Sequence, residues 1–456
     1  MLDINLIRER KEWVKERIAT LNDEGAVAHV EAVYALDRQR REALQTVEAL
    51  KAARNRLSKS YGRFRGHKGL TDAQRVATAL EAAAALDEAD WERAVQLLEN
   101  PTDQTTQETP GDVNAAFDRL QASMGALAGR IDALDEQIRT IDADLLAHMQ
   151  WIPNLPHGSV PVGQSEAENI AHQPVGLMPE FDFPPLAHWD LGPQLGIIDF
   201  ERGVRLAGTR FYILAGMGAR LQRALINWML DFHLARGRVE VYTPLMVREE
   251  VMFGSAQFPK FRENVYGDPD AELYLLPTAE VSITNMHAGE ILDEAELPLR
   301  YVGHTPCFRR ERMSAGRDVR GIKRVHQFEK VEQYSFTHPE GSYDELELMV
   351  ETAEAMCGAL GLPYRRVEMV TGDLGFAASK KYDVEVYAAG CGDWLEVSSC
   401  SNCEDFQARR ANIKYRPAGG GPARFVHTRN GSRLAQPRNL IAQLDNNHHA
   451  DGTVIV

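Results

Sequence analysis

Cysteine is scarce. There are five in 456 residues, Cys307, Cys357, Cys391, Cys400 and Cys403, an odd number with no framework spacing. A disulfide-built scaffold is excluded, and a reducing compartment fits. No run of about 18 apolar residues occurs, so no membrane-spanning helix is expected. The N-terminal MLDINLIRERKEW is charged and amphipathic, without an apolar signal core, and reads as the start of a soluble cytoplasmic protein. Basic residues are outnumbered, 51 against 66 acidic ones, for a formal net charge of −15. A protein coated in positive surface is excluded, but a local basic patch that binds RNA is not. Neither a P-loop consensus nor a GxGxxG after a strand is present, which removes the two commonest nucleotide-binding architectures.

The first 150 residues are poor in glycine and proline and rich in helix formers. Leu6, Ile7, Val14, Ile18 and Leu21 fall on one face of a short amphipathic helix. Two heptad runs follow. Val33, Leu36, Ala43, Val47, Leu50 and Leu57 make the first, with Arg40 and Arg54 filling two seam positions. The second is cleaner: Phe117, Met124, Ile131, Ile138 and Leu145 in one series, Leu120, Leu127, Leu134 and Ile141 in the other. Two seams on one chain predict an antiparallel coiled-coil hairpin, an arm of roughly 50 Å for about 35 residues. Between them, 71–112 holds a helical stretch through Leu80, Leu86, Trp91, Val95 and Leu98 and then a polar loop, NPTDQTTQETPGD, an elaboration of the hairpin tip.

Residues 151–165, WIPNLPHGSVPVGQS, carry three prolines within nine positions and predict a stiff linker. Beyond it, 166–456 has an α+β texture. An amphipathic helix is expected at 220–235, and VEVYTPLMV, ELYLLPT, QFEKVEQYSF and DVEVYAAG suit a mainly antiparallel sheet.

Two basic segments break the acidic background. On the arm, Lys51, Arg54, Arg56, Lys59, Arg63, Arg65 and Lys68 lie in a stretch with no acidic residue. This is either a solvated helix face or a surface that reads RNA by shape and phosphate. The other is HTPCFRRERMSAGRDVRGIKRVHQFEKVEQY at 304–334, with seven basic residues between Arg309 and Arg324, interrupted by Gly316 and Gly321. Two strands joined by a long basic loop suit a polyphosphate, because the guanidinium fork matches phosphate oxygens, and Phe308 and Phe328 offer a stacking face.

Here the residues meet a family. FRRE followed by RVHQFEKVE closely resembles motif 2 of class II aminoacyl-tRNA synthetases in its seryl form. By that resemblance Arg309 holds the α-phosphate of ATP, Glu311 the adenine amino group, Val325 and Phe328 the adenine ring, and Arg324 the γ-phosphate. Glu332 holds serine. Arg310 stands where the family usually has serine, beside these ATP contacts. LLPTAEVSIT looks like the family's serine-recognition segment, with Thr278, Ala279 and Glu280. A hydroxyl and a carboxylate are what a serine-selective pocket needs. TGDLGFAASKKYDVEVY at 371–387 also matches the family. WLEVSSCSNCEDFQARR implies an ATP segment of Glu396, Val397, Ser398 and Ser399, with Glu396 and Ser399 as Mg²⁺ ligands. RNGSRLAQPRNLIAQLDNN is similar to motif 3, where Ser432 and Asn430 face serine and Arg438 is the second ATP arginine opposite Arg309. Arg433 replaces a usual small residue, Pro437 biases the backbone before Arg438, and the chain stops at VIV, short of the family's proline-containing tail. Cys400 and Cys403 form a CxxC, yet no good fourth ligand for zinc appears, so packed thiols are expected. Motif 1 would be 238–261, with Pro244 at a homodimer interface. The resemblance covers 1 to about 60 and about 113 to 456, leaving 71–112 unmatched.

The resemblance implies a 1–150 tRNA-binding arm, a 151–165 linker and a 166–456 class II catalytic domain. The activity implied is attachment of L-serine to serine tRNA, using ATP and Mg²⁺, with selenocysteine tRNA as a further acceptor and no DNA or membrane partner. Arg309 and Arg438 carry the catalysis. Two other readings stay open, a serine ligase with a different acceptor and a non-catalytic RNA-binding paralogue.

Overall fold

The computed structural model describes residues 1–101, 112–270, 272–312, 320–433 and 436–456, with Arg433 described by its backbone alone. Most of the polar tip loop, the basic loop around Gly316 and the Arg433 side chain lie outside the described residues. The chain forms two units, Glu31–Met149 and a larger one of Met1–Val30 with Gln150–Val456. The first 30 residues therefore group with Gln150–Val456 rather than with the helical arm.

Helix α1 (Ile4–Ala19) buries Ile7, Val14 and Ile18 and is N-capped by Asp3. Arg409 reaches back to Asp3, 2.9 Å, which ties α1 to the larger unit. The segment expected as a stiff linker is docked instead. Ile152 and Asn154 are buried, the Asn154 amide donates to Ala377 O and Cys403 O at 2.9 Å each, and His157 N donates to Ser379 O. Its prolines remove donors that would otherwise need partners, and the apolar residues between them supply the packing.

The arm is built from α2 (Glu24–Arg65), α3 (Asp72–Asp87), α4 (Trp91–Glu99) and α5 (Val113–Met149). Val47, Leu50 and Leu57 of α2 share one apolar cluster with Leu120, Leu127 and Ile131 of α5. The tip is more than one helical stretch. Ala89 adopts φ 62° and Asp90 caps the next turn, so the chain breaks into α3 and α4. Both pack on the hairpin: Ala79, Ala82, Ala83, Leu86, Val95 and Leu98 join the same cluster. Alanine-rich faces let helix axes approach closely, which is why this insertion reads so weakly as an apolar stripe.

The larger unit is organised by an eight-stranded sheet. Its strands are β1 (Ile170–Ala171), β2 (Val239–Glu240), β3 (Leu299–Phe308), β4 (Gln327–Thr337), β5 (Tyr364–Glu368), β6 (Lys380–Ala388), β7 (Asp393–Glu404) and β8 (His427–Arg433). Their spatial order is β1-β5-β6-β7-β8-β4-β3-β2. All neighbours are antiparallel except β2 with β3. VEVYTPLMV does not make one strand: it splits into β2 and Met246–Arg248, because Pro244 cannot donate to a ladder. ELYLLPT contributes Leu273–Leu275 to a separate three-stranded sheet.

Helix α6 (His188–Gln194) precedes the long helix α7 (Met217–Leu234). With α8 (Ser342–Ala359) and α9 (Gln436–Asn446), α7 covers one face of the sheet. Alternation along β4 separates the faces. Val331 enters the helix-side core, while Phe328, Lys330 and Glu332 point to the other side and line a cleft.

Candidate active site

The cleft encloses about 1000 Å³ on the face away from α7 and α8. Register brings its floor together. Glu332 of β4 lies opposite Ser432 of β8 and Tyr334 opposite Asn430, so both β8 side chains face the cleft. Thr278, on the turn before the helix Glu280–Asn285, donates its hydroxyl to Glu332 Oε2 at 3.0 Å and accepts from Lys330 Nζ at 2.7 Å. Lys330 and Glu332 form a 2.6 Å ion pair and are 6 % and 1 % exposed. Glu280 accepts from Gln407 Nε2 at 2.6 Å and Asn430 Nδ2 at 2.7 Å. Burial, then the nearby Glu332 charge, pushes its carboxyl up to about 7.

At the other end stand the arginines. Arg309 follows β3; its Nε donates to Pro277 O and its guanidinium lies 5.2 Å from the Phe328 ring centre. Arg438 emerges from the first turn of α9 and donates to Glu396 O at 2.8 Å and to its carboxylate at 3.1 Å. Pro437 also sits in that first turn, where a missing N–H costs nothing. Arg324 lies 3.7 Å from Glu311, whose backbone is left-handed at φ 51°.

A bulge sets the third wall. Glu396 pairs with Glu385 and Ser398 with Val384, which leaves Val397 as an extra residue in β7. Glu396 and Ser399 are three apart and would face opposite sides of a regular strand. The bulge puts both in the cleft and sends Val397 into the core. Enclosure works against the Glu396 charge, yet Arg438 and Lys381 hold its carboxyl below the usual range. Facing it, Asp383 is pushed up to about 7 by burial and by Glu396, against the pull of Lys381.

Of the residues singled out in the sequence, Thr278, Glu280, Arg309, Glu311, Arg324, Val325, Phe328, Glu332, Glu396, Ser399, Asn430, Ser432 and Arg438 line this one cleft. Ala279, Arg310, Val397 and Ser398 do not. Ala279 is buried behind the turn, and Arg310 turns its guanidinium over Tyr266, 5.2 Å from the ring centre. Ser398 is fully buried beside Cys400. Reading the sequence missed Lys330, Lys381, Asp383 and Glu385, which line the same cleft. Period-two counting from Phe328 would have found Lys330, and counting along KKYDVEVY would have found the others. Cys403 lies 3.7 Å from Asn430 Nδ2, whereas Cys391 sits beside His188 and Asp445.

On the arm, the basic residues singled out between Lys51 and Arg65 divide. Lys51 pairs with Asp135 at 2.8 Å and Arg56 with Glu92. Arg54, Lys59, Arg63 and Arg65 have no ion-pair partner among the described residues, and the last three are exposed.

Residues 1–110 match the seryl-tRNA synthetase N-terminal domain, and 261–447 match the tRNA synthetase class II core domain (G, H, P, S and T). The first match runs through most of the tip insertion, so 71–110 is not foreign to the family as the sequence reading had it. A serine–tRNA ligase of Roseiflexus sp. (strain RS-1) is 50% identical over 100% of this chain and 96% of its own. The crystal structure of seryl-tRNA synthetase from Pyrococcus horikoshii complexed with ATP is similar at 35% identity and a TM-score of 0.82, covering 100% of this chain and 96% of that one. The cytoplasmic serine–tRNA ligase of Naegleria fowleri in complex with AMP has the same TM-score at 30% identity, covering 99% and 94%. With both its helical arm and its class II core matched across its full length, the chain belongs to the seryl-tRNA synthetase family.

Proposed function

We propose that the cleft joins L-serine to ATP, giving seryl-adenylate and pyrophosphate, and that the seryl group then passes to the 3′-terminal hydroxyl of a serine tRNA. One observation carries this reading. Two guanidinium groups from separate elements, Arg309 and Arg438, converge on a cleft whose floor is the buried set Thr278, Lys330 and Glu332 beside the half-buried Glu280. The first end suits a triphosphate, the second a small zwitterion with a hydroxyl.

In the first step a serine carboxylate oxygen attacks the α-phosphorus in line and pyrophosphate leaves. Arg309 and Arg438 stabilise the charge that builds on the α-phosphate oxygens, and Arg324 holds the γ-phosphate. Phe328 and Val325 take the adenine, with Glu311 on its amino group. Glu280 and Glu332 hold the serine ammonium, while Thr278, Asn430 and Ser432 offer partners to its hydroxyl. In the second step the tRNA hydroxyl attacks the acyl carbon and AMP leaves. No covalent enzyme intermediate is needed; positioning and fixed charge do the work.

The donor set fits Mg²⁺. Glu396 and Ser399 share the cleft face, and opposite them Asp383 Oδ1 is buried with no hydrogen-bond partner among the described residues. Glu396 and Ser399 would hold the ion, which neutralises phosphate charge when bound.

Arg54, Lys59, Arg63 and Arg65, without ion-pair partners among the described residues, would contact the tRNA backbone, with selenocysteine tRNA as a second acceptor. Around Pro244, Val239, Tyr242 and Met246 are exposed, Tyr242 to 91 %, and this apolar strip suits a second copy of the chain. The cytoplasm supplies every substrate. The test is charging of a serine tRNA transcript with labelled serine, ATP and Mg²⁺. Deleting 30–145 should abolish charging while serine-dependent ATP–pyrophosphate exchange survives. Exchange without charging by the intact chain points to another acceptor; loss of both points to the non-catalytic reading.

A further inference from the structure

Behind the cleft, three titratable side chains meet away from the substrates. His188 opens α6, Cys391 sits in the turn between β6 and β7, and Asp445 lies near the end of α9. Their donor atoms all fall within 4.8 Å of one another, with His188 Nδ1 at 3.7 Å from Cys391 Sγ and 3.9 Å from Asp445 Oδ1. Thiol, imidazole and carboxylate are the donor types of a zinc site, but the proton inventory opposes one. His188 Nε2 accepts the Ile322 N–H at 3.0 Å, so the ring proton sits on Nδ1, the atom that faces Cys391 and Asp445. A ligating histidine normally does the reverse, binding metal through one nitrogen and donating from the other. Desolvation lowers the His188 pKa to about 3, so the ring stays neutral and Nε2 stays an acceptor.

The useful end of the trio is therefore Nε2. Ile322 and Gly321 lead directly into Lys323, Arg324 and Val325, all of which line the cleft. The approach is tight. Gly321 has φ +68°, and a Cβ there would lie 2.0 Å from His188 Nε2. Neighbouring contacts dock the same stretch of chain: Arg320 stacks on Trp189 at 4.4 Å and lies 3.8 Å from Asp190, and Ile322 is fully buried against Leu191 and Leu440. On the cleft side Arg438 Nε donates to Lys323 O at 3.4 Å. On the far side Cys391 Sγ and Asp445 Oδ1 face the Nδ1–H at 3.7 and 3.9 Å. Asp445 is itself fully buried, with neither oxygen in a well-formed hydrogen bond among the described residues.

We propose that His188 is a positioning residue for ATP. Its Nε2 pins the Ile322 N–H and so sets the backbone that presents Arg324 and Val325 to the nucleotide. This rests on the ATP reading of the cleft given above. His188 touches no substrate and acts only through that strand of backbone.

The test is ATP affinity by calorimetry, which requires no serine chemistry, with serine affinity and melting temperature measured on the same proteins. His188→Asn loses the distal acceptor and should weaken ATP about tenfold, the scale of one lost buried hydrogen bond, with serine unchanged. His188→Gln returns an acceptor near the Nε2 position and should recover to within about threefold. Gly321→Ala, with His188 intact, should mimic His188→Asn by pushing the backbone off the ring. Three results overturn the proposal: ATP affinity unchanged in His188→Asn, ATP and serine weakened together in step with melting temperature, or one metal equivalent in the wild type that is lost in His188→Asn. Serine-dependent exchange by the wild type is scored separately. Its absence condemns the functional reading, whereas intact exchange with an indifferent His188→Asn condemns only the positioning role.

Discussion

Lys330→Met is the most informative single change in the floor of the cleft. The ammonium it removes is 2.6 Å from Glu332 and also donates to Thr278 Oγ1. Glu332, 1 % exposed, would be left with the Thr278 hydroxyl as its side-chain partner among the described residues, with Glu280 close by. Removing one member of a buried pair costs about 3–5 kcal/mol, because the surviving charge stays desolvated. The orphaned bond to Thr278 adds about 1 kcal/mol. Lys330→Met/Glu332→Gln removes both charges and keeps an acceptor for Thr278, so the double variant should recover to within about 2 kcal/mol of wild type. Urea unfolding followed by tryptophan fluorescence suits the measurement, since Trp91 alone of the six tryptophans lies in the arm unit. The double variant should then be stable yet fail to activate serine, which separates the fold from the chemistry. A loss below about 1 kcal/mol in Lys330→Met, or strict additivity in the double variant, would refute the reasoning.

Four further outcomes are expected. Glu280 is raised to about 7 in the fold from an ordinary carboxyl value of 4.5, so the folded state binds more protons between those values. Its contribution to stability is greatest below the unfolded pKa and is lost as pH rises through about 7; urea midpoints of Glu280→Gln should lack that component. A serine ammonium beside Glu280 favours the carboxylate, so serine should bind more tightly from about pH 6 to about pH 8 with proton release in calorimetry, and Glu280→Gln should abolish both. Neutralising Lys59, Arg63 and Arg65 together should raise the KM for tRNA and flatten its salt dependence with exchange untouched, whereas Lys51→Ala, which breaks a pair with Asp135, should do neither. Leu57→Ala, fully buried in the arm cluster, should cost about 2–5 kcal/mol in arm unfolding, read by circular dichroism, without changing exchange.

Legibility in the sequence tracked locality. The seams of α2 and α5 repeat every seven residues, so their buried series could be counted directly. Arg309, Glu311, Arg324, Phe328 and Glu332 fell within two dozen residues and came together as a motif. Lys330 was passed over although it shares a face with Phe328 and Glu332, because a buried lysine carries no pattern of its own. Lys381, Asp383 and Glu385 alternate along β6 and could have been counted in the same way, but only the pairing of β6 with β7 shows which of its two faces meets the cleft. The resemblance implied a continuous segment from Glu396 to Ser399, but alternation and the bulge send Val397 and Ser398 away from the cleft. The tip read as one helical stretch instead of two because the break rests on the left-handed backbone of Ala89, a residue with no preference for it, and the proline-rich 151–165 looked like a spacer because composition does not reveal docking.

The extra residue at Val397 makes β7 a parity device. Side chains along a strand belong to odd and even sets, and here the set that faces the cleft changes identity between Glu396 and Ser399. Substitution within this stretch changes what is presented, but deletion of a single residue restores the regular count. It would turn one of the two oxygen donors inward, among Tyr382, Val384 and Val386, with every other residue of the site intact. The length of this segment, more than its spelling, is what natural variation in the strand must keep.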